Sequence, residues 1–276
     1  MKGSFSRDLQ AAARALSFAA EYDSLRLKTY RREERLEDRI QVSRLGAAVV
    51  LRFDDVGYFN RVYSASDEVL GRLPEVEAVF RGSPFGCELM GPPGACPDQA
   101  ADRIGQRRGW ARSNVYAWMH AGLCGCAAPP TTPPGFTICG VGPGQQEEFL
   151  LTYLRAFEAA PDRVPGALRN MRHLFSCTEL EFLLAFRGSQ TAGVGMLMRR
   201  GRAALLCAGA ALPEFREMGC HAALLAARIQ RASECGCEDL YSWTVFGGQS
   251  QANMERFGLR AVAVSPAWRL EPQQLP

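Results

Sequence analysis

The 276-residue sequence predicts an α/β fold of the α+β kind with a mixed central sheet, and two patterns support this prediction. Three apolar runs, 181–186, 191–198 and 203–208, are separated by short Gly-containing turns, which is typical of an antiparallel meander. After the third run come a turn, a segment with apolar residues at helical spacing, and another apolar run at 239–245. The predicted order is therefore meander, turn, helix and strand.

The turn from Arg216 to His221 carries the strongest functional signal. A turn that opens a helix leaves backbone N–H groups without partners, and the helix dipole adds partial positive charge at the same place. Arg216 adds a guanidinium whose forked donors suit phosphate oxygens. The sequence therefore predicts an anion site for a ligand that carries a pyrophosphate.

The helix after this turn has one apolar face, and Gly236 stands where a helix stop is expected. Cys220 begins this face and has two interpretations. Its thiol has a lowered pKa at a helix start, or it is an apolar member of the face; the second is favoured. The residues of the face are Cys220, Leu224, Leu225 and Ile229.

These elements, in this order, resemble the GCN5-related N-acetyltransferase (GNAT) superfamily over residues 138–270. The family's cofactor loop reads Gln/Arg-x-x-Gly-x-Gly/Ala; Arg216 and Gly219 match it, whereas His221 stands where Gly or Ala is usual. The tail from Ser250 resembles the family's closing helix and final strands. The resemblance implies the GNAT fold, with an acyl-CoA site formed by the fourth strand, the loop, the next helix and the fifth strand.

The resemblance also implies a cofactor, which is acetyl-CoA or another acyl-CoA. Its pyrophosphate would lie on the loop, and its pantetheine arm would pair with the preceding strand as a further strand would. The His221 side chain has two interpretations: it is exposed to solvent at the helix start, or it bonds to phosphate; the first is preferred. The implied cofactor-binding residues are Ala211, Leu212, Arg216, Glu217, Met218, Gly219, Cys220, His221 and Asn253.

Catalysis in this family is direct attack of an amine on the thioester, often with a tyrosine that protonates the leaving thiolate. Four residues before Gly258, where that tyrosine is usual, this chain has Met254, and a thioether donates no proton. The candidate catalytic residues are Glu214, Tyr241 and Ser250. Each also has a structural interpretation: a solvated turn carboxylate for Glu214, a core residue for Tyr241 and a helix N-cap for Ser250.

The function that this resemblance implies is N-acylation of a small-molecule amine by direct transfer in a ternary complex. One alternative is a catalytically silent acyl-CoA-binding or regulatory protein, which Met254 favours. Another is different thioester chemistry on the same fold, such as O-acylation or malonyl decarboxylation.

Composition narrows the choice of partners. The net charge is +3, from 32 basic and 29 acidic residues, and no long basic block suggests nucleic acid. Apolar stretches are shorter than a membrane span and the first residues do not resemble a signal peptide, so a cytoplasmic protein with no membrane partner is expected. A homodimer is left open. The ten cysteines include two Cys-Gly-Cys pairs, at 124–126 and 235–237, whose spacing does not suit zinc, so no metal is expected.

The N-terminal half is predicted to be a helical and degenerate copy of the same fold, which gives a tandem architecture with three segments. The first is residues 1–121, which lack a second cofactor loop and are expected to bind no CoA. The second, 122–137, is a Pro/Gly-rich linker, and the third, 138–276, is the acyltransferase domain. Elements predicted in the first segment are helices over 5–44, 66–80 and 97–108 and strands at 49–53 and 87–90.

Overall fold

The computed structural model describes residues 2–93, 103–105, 107–123 and 134–272, with side chains from residue 6 onward. Within this part of the chain, no helix is both long enough and apolar enough to cross a membrane. Contacts between the residues divide the chain into two compact units. The first unit contains Met1–His120, Trp243–Gln251 and Ala261–Pro276, and the second contains Ala121–Ser242 and Ala252–Arg260.

The first unit combines a long N-terminal helix with a mixed sheet. Its helices and strands are α1 (Lys2–Glu33), β1 (Ile40–Leu45), β2 (Ala48–Phe53), β3 (Arg61–Tyr63), α2 (Leu73–Val79), β4 (Cys87–Met90), β5 (Trp110–Gly122) and β11 (Arg260–Leu270). The strand order is β1-β2-β3-β4-β11-β5. β3 and β4 run parallel, whereas the β1–β2, β2–β3 and β4–β11 pairs are antiparallel.

The parallel pair β3–β4 needs a crossover, and α2 supplies it. Val62 of β3 and Leu89 of β4 pack with Leu73 and Val76 of α2, and none of the four is more than 1% exposed. Because α2 covers this face of the sheet, the strand residues that pack against it are apolar.

A buried polar cluster attaches α1 to β3. Asp23 of α1 is fully buried; it accepts a hydrogen bond of 2.6 Å from the Tyr63 hydroxyl and lies 3.4 Å from the Arg61 guanidinium and 3.3 Å from that of Arg26. A carboxylate can be buried only when cations and donors replace its water. The cluster therefore fixes α1 on the sheet by charge as well as by apolar packing.

The second unit contains the predicted meander. Its elements are β6 (Thr137–Gly140), α3 (Gln146–Ala156), α4 (Val164–Met171), β7 (Leu180–Arg187), β8 (Gln190–Arg200), β9 (Ala203–Ala211) and α5 (Cys220–Glu234). Two further elements, β10 (Asp239–Val245) and α6 (Gln249–Arg256), are shared with the first unit, which contains the last residues of β10 and the first residues of α6. The strand order is β10-β9-β8-β7-β6. β6 to β9 are antiparallel, and β10 pairs with β9 in parallel.

Several predicted elements are confirmed, namely the three meander strands, the helix α5, the strand β10, and the two strands β2 and β4 of the N-terminal half. Two N-terminal predictions are wrong. The helix predicted up to residue 44 ends at Glu33, because Arg35 adopts a left-handed backbone and β1 follows. The helix predicted over 66–80 is a 3-10 helix followed by α2, since Pro74 lacks an N–H and suits a helix start.

The division into units also differs from the predicted domains at the C-terminus. Residues after Arg260 were predicted in the second domain, whereas β11 pairs with β4 of the first unit, from Ala267–Met90 to Leu270–Cys87. Where the sequence predicted several final strands, the structure has the single strand β11. Most of the predicted linker, the pair Cys124–Cys126 and most of the predicted helix 97–108 lie outside the described residues; residues 103–105 are helical.

Candidate active site

The parallel ladder between β9 and β10 covers only the first part of β9. It runs from the pair Asp239–Ala203 to the pair Tyr241–Leu205, and β9 then continues to Ala211. At the next position the Ser242 hydroxyl donates to the Leu206 carbonyl over 3.1 Å, so a side chain takes the place of a ladder hydrogen bond. The second half of β9 therefore has one edge that β10 does not pair.

A bulge distorts β9 where this open edge begins. The register between β8 and β9 shifts at Met196, where two residues of β9, Cys207 and Ala208, face one residue of β8. A bulge leaves the extra residue out of the ladder and bends the strand. At Cys207 and Ala208, β9 therefore has no regular ladder pairing with either β8 or β10.

Ala211 and Leu212 are the residues predicted to pair with a pantetheine arm, and their backbone groups point in opposite directions. The Leu212 amide donates to the Ala192 carbonyl over 2.8 Å, so it faces β8 and is already bonded. Backbone groups alternate in direction along a strand, so those of Ala211 face the open edge. The prediction of a cofactor contact through the Leu212 amide is corrected, and that through Ala211 remains a prediction.

The loop after β9 ends in a helix start without a side-chain cap. Gly219 occupies the cap position with φ of 93°, a left-handed conformation that favours glycine, and in the described part of the chain no side chain bonds the first-turn amides of α5. The first turn also contains no acidic residue. The amides of Cys220 and His221 therefore have no side-chain partner among the described residues, and their contact with an anion stays a prediction.

Arg216 contacts other protein groups, whereas the sequence predicted that it would bind phosphate. Its guanidinium donates to the Glu158 carboxylate over 2.7 Å and to the Ala156 carbonyl over 3.2 Å, at the end of α3. Both side chains are about half exposed or more, so the ion pair is weak. Arg216 therefore links the loop to α3 in this structure. Glu217 has a left-handed backbone beside it, and Met218 is half exposed.

Cys220 lies in the apolar core and not at a reactive surface. It is 1% exposed and packs in a cluster that includes Ala211, Phe215 and Leu224. Burial raises the pKa of its thiol to about 12, so the thiol stays protonated near neutral pH. The favoured interpretation of Cys220 as an apolar helix-face residue agrees with this position.

His221 is partly buried, so its interpretation as a solvent-exposed residue is wrong. Its Nδ1 lies 3.0 Å from Asn253 Nδ2, and the Arg256 guanidinium donates to Asn253 Oδ1. An arginine can only donate, so the amide atom it contacts must be the oxygen, and the amide nitrogen must face the imidazole. His221 Nδ1 is therefore an acceptor, and the ring proton is on Nε2.

The protonation state of His221 follows from its surroundings. Burial, and to a lesser extent the charge of Arg228, lowers the pKa of the imidazole to about 4. The ring is therefore neutral near pH 7. A neutral imidazole whose Nδ1 accepts from Asn253 has its proton on Nε2, so it can donate a hydrogen bond through that atom.

The three predicted catalytic residues lie on different elements and differ in exposure. Glu214 is exposed and pairs with Arg155 over 2.8 Å, which matches its interpretation as a solvated carboxylate. Tyr241 is 3% exposed. Ser250 belongs to the first unit and lies inside the first turn of α6, which begins at Gln249, so its interpretation as the N-cap is wrong. Met254 is 4% exposed and fills its position with apolar side chain.

Sequence reasoning missed Arg228 of α5, which is 1% exposed. Its Nε donates to the Leu224 carbonyl over 2.9 Å, and its Nη1 lies within 3.5 Å of three carbonyls at the β9 bulge. Burial lowers the pKa of the guanidinium to about 10, so it stays charged near neutral pH. The signal available in the sequence was a charged residue four positions after Leu224, on the apolar face of the helix.

The described residues contain no group of three His, Cys, Asp or Glu side chains placed to hold a metal ion. What they do bring together is an open strand edge, a bulge, an uncapped helix start and a neutral histidine. This combination suits a ligand with an anionic end and an extended, amide-containing arm.

Comparison with known proteins identifies the fold. No protein-family model matches the chain, and no curated protein matches it. Solved structures do. A GCN5-related N-acetyltransferase from Kribbella flavida has a TM-score of 0.60 at 17% identity and covers 93% of this chain and 96% of its own. A functionally unknown conserved protein from Staphylococcus epidermidis has a TM-score of 0.64 at 10% identity, over 86% of this chain and 97% of its own.

A tandem GNAT protein from the clavulanic acid biosynthesis pathway is also similar, with a TM-score of 0.55 at 14% identity over 85% of this chain and 83% of its own. At identities this low, the TM-scores establish a shared fold alone and carry no information about the substrates. The similarity extends over most of both chains, so it includes both units. The chain has the fold of the GCN5-related N-acetyltransferases, in agreement with the expectation from its sequence.

Proposed function

We propose that the chain is an acyl-CoA-dependent N-acyltransferase that uses acetyl-CoA and acts on a small-molecule amine. The observation that carries the proposal is the open edge of β9 from Leu206 to Ala211, which leads directly into the uncapped start of α5. In an acetyltransferase fold, this edge and this helix start supply what an acyl-CoA needs.

The cofactor's pyrophosphate would lie at the first turn of α5. The amides of Gly219, Cys220 and His221 and the partial charge of the helix dipole would bind it. His221 Nε2–H adds a neutral donor. Arg216 contributes after its guanidinium turns from Glu158 toward the phosphate, a change that costs little because the ion pair is exposed.

The pantetheine arm would run back along β9 from the loop. The backbone groups of Ala211 face the open edge, as do those of Gly209 two residues earlier. Peptide-like amides of the arm can pair with these groups as a strand would, without any side chain. The thioester, at the far end of the arm, would then lie near the β9 bulge.

The transfer is a direct one. The amine nitrogen forms a bond to the thioester carbonyl carbon, the oxygen takes the developing charge, and the C–S bond breaks as the electron pair leaves on sulfur. The amine releases one proton and the CoA thiolate takes one up, so the products are an amide and free CoA. No bond to the protein forms.

Met254 indicates how the thiolate leaves. A buried thioether supplies no proton at the position where the family resemblance implies a tyrosine. A thiol with a pKa of ~8.5 leaves as the thiolate without much assistance near neutral pH, so solvent can complete the step. Turnover is expected to be measurable and modest.

The experiment is a free-thiol release assay with acetyl-CoA and a panel of small amines, after acetyl-CoA binding has been measured by calorimetry. Initial rates at varied concentrations of both substrates should give intersecting lines, as for a ternary complex. Thiol release without amine, together with acetylated protein in the mass spectrum, would contradict direct transfer.

A catalytically silent acyl-CoA-binding protein is the second candidate, and buried Met254 is the observation that favours it. Such a protein binds acetyl-CoA with the same residues. It releases no thiol with any amine of the panel, whereas the enzyme does so with at least one.

A further inference from the structure

The guanidinium of Arg228 lies at the β9 bulge. Its Nη1 is 3.3 Å from the Cys207 carbonyl oxygen, 3.5 Å from that of Ala208 and 3.4 Å from that of Met196. These are the two residues of β9 and the one residue of β8 that face each other where the register shifts. One buried cation thus contacts all three carbonyls of the bulge.

This arginine is costly to bury, and the sequence makes room for it. Its hydrogen-bond partners in the described chain are main-chain carbonyls and no carboxylate, so no opposite charge offsets its desolvation. Two glycines provide the space. A Cβ at Gly209 would lie 2.5 Å from Nη2, and one at Gly195 would lie 3.1 Å from Nε. An apolar residue would fill the same space at lower cost, which suggests that the charge has a use.

The direction of the bulge peptides indicates that use. In a trans peptide the C=O and N–H groups point in opposite directions. The carbonyls of Cys207 and Ala208 point at the guanidinium, so the amides of Ala208 and Gly209, which belong to the same two peptides, point away from it. A carbonyl that accepts from a cation polarises its peptide and makes the N–H a stronger donor.

The thioester of the proposed cofactor would lie beside these amides. With the pyrophosphate at the start of α5, an extended arm runs back along β9, and the strand rises ~13 Å from Ala211 to Cys207. Resting on the proposed function, we infer that Arg228 is a positioning residue: it fixes the bulge and polarises its two peptides, so that the amides of Ala208 and Gly209 hold the thioester oxygen. The oxygen gains charge during transfer, and the cation behind these donors stabilises it without touching it.

The test measures the bound thioester itself. Acetyl-CoA labelled with ¹³C at the carbonyl is bound to the protein, and the C=O stretching frequency is read by isotope-edited infrared difference spectroscopy. Arg228→Gln removes the charge and keeps a donor, whereas Arg228→Lys keeps the charge. Arg231→Gln is the matched control, since Arg231 lies on the same helix, is exposed and pairs with Glu181 at the surface.

Binding to the wild-type protein and to Arg231→Gln should lower the carbonyl frequency by the same amount. Arg228→Gln should lose most of that downshift and about tenfold in kcat, with the KM for acetyl-CoA changed less than about twofold, and Arg228→Lys should restore much of both. A purely structural role for Arg228 would move the melting temperature and leave the frequency of the bound thioester unchanged.

Gly209→Ala provides a second variant that retains the arginine. Its Cβ would displace the guanidinium, and it should reduce the downshift as Arg228→Gln does. An equal downshift in wild type, Arg228→Gln and Gly209→Ala would overturn the inference and leave the proposed function standing. If Arg228→Lys loses as much of the downshift as Arg228→Gln does, the inference is overturned as well. Failure of the wild-type protein to bind acetyl-CoA would overturn the proposed function first.

Discussion

Each unit contains a parallel strand pair joined by a helix, and the two pairs end in opposite ways. In the first unit all three residues of β3 pair with β4, and the Ser64 amide extends the ladder to the Met90 carbonyl over 3.1 Å. In the second unit the ladder between β9 and β10 stops at Leu205 while β9 continues to Ala211. The first pair is closed along its length, and the second leaves one edge of β9 unpaired by β10.

The starts of the two crossover helices differ in charge. Neither α2 nor α5 has a side-chain cap, but the first turn of α2 carries the carboxylate of Glu75, and the 3-10 helix before it carries Asp67 and Glu68. The first turn of α5 carries no acid. The start of α2 therefore disfavours an anion, whereas the start of α5 favours one. This difference fits the prediction that the first unit binds no CoA.

The largest expected effect concerns the buried charges. Asp23→Ala leaves the guanidiniums of Arg26 and Arg61 without their buried carboxylate, which should cost about 3–5 kcal/mol of the free energy of unfolding, measured by urea denaturation. Asp38→Ala, at an exposed position, should change it by less than about 0.5 kcal/mol. Equal small losses would show that the cluster is not what attaches α1.

The next effect concerns the neutral His221. Its pKa is about 4 in the folded protein and ~6.5 in the unfolded chain, so between these values the unfolded state binds more protons and stability falls as pH falls. Asn253→Asp places a carboxylate at Nδ1, which should accept a proton from the ring, raise its pKa and reduce this loss of stability by about 2 kcal/mol.

An NMR titration of the ring checks this prediction directly. A His221 titration midpoint that stays low in Asn253→Asp would contradict the assigned Arg256–Asn253–His221 chain of hydrogen bonds.

A smaller effect comes from making the second helix start resemble the first. Ala222→Glu adds a carboxylate to the first turn of α5 and should weaken acetyl-CoA binding by about 1 kcal/mol, because it repels phosphate at the positive end of the helix. Ser233→Glu adds the same charge at the exposed opposite end as a control. If both variants bind acetyl-CoA equally well, the helix start is not the anion site.

The smallest effect concerns the loop cation. Because Arg216 is exposed and paired with Glu158, Arg216→Ala should weaken acetyl-CoA binding by only about 0.5–1 kcal/mol. Glu158→Ala releases the guanidinium and should leave affinity unchanged or strengthen it. A stronger loss in Glu158→Ala than in Arg216→Ala would mean that the ion pair itself shapes the site. Calorimetric titration with acetyl-CoA measures both.

Local sequence patterns predicted the strands and the helix start because the physics there is local. Apolar spacing determines which face of an element is buried, and the turn before α5 needs a left-handed residue, which Gly219 supplies. The sequence therefore located the second unit's meander, loop and helix, and with them the fold.

Contacts between residues far apart in the chain were beyond such patterns. Arg216 is held by Glu158 at the end of another helix, and β11 pairs with β4 of the first unit. The burial of Arg228 depends on Gly195 and Gly209, which only the β8–β9 register brings beneath it. Each of these features depends on tertiary packing, which overrides the local preference of the segment.

The central claim is that acyl-CoA binds at the open edge of β9 and the start of α5. A calorimetric titration of acetyl-CoA into wild type, Gly219→Val and Gly188→Val tests it most directly, since both glycines have positive φ and only Gly219 lies at the site. The account predicts that Gly219→Val weakens binding by about 1–3 kcal/mol, whereas Gly188→Val binds as the wild type does. Equal affinity of Gly219→Val and wild type would contradict it.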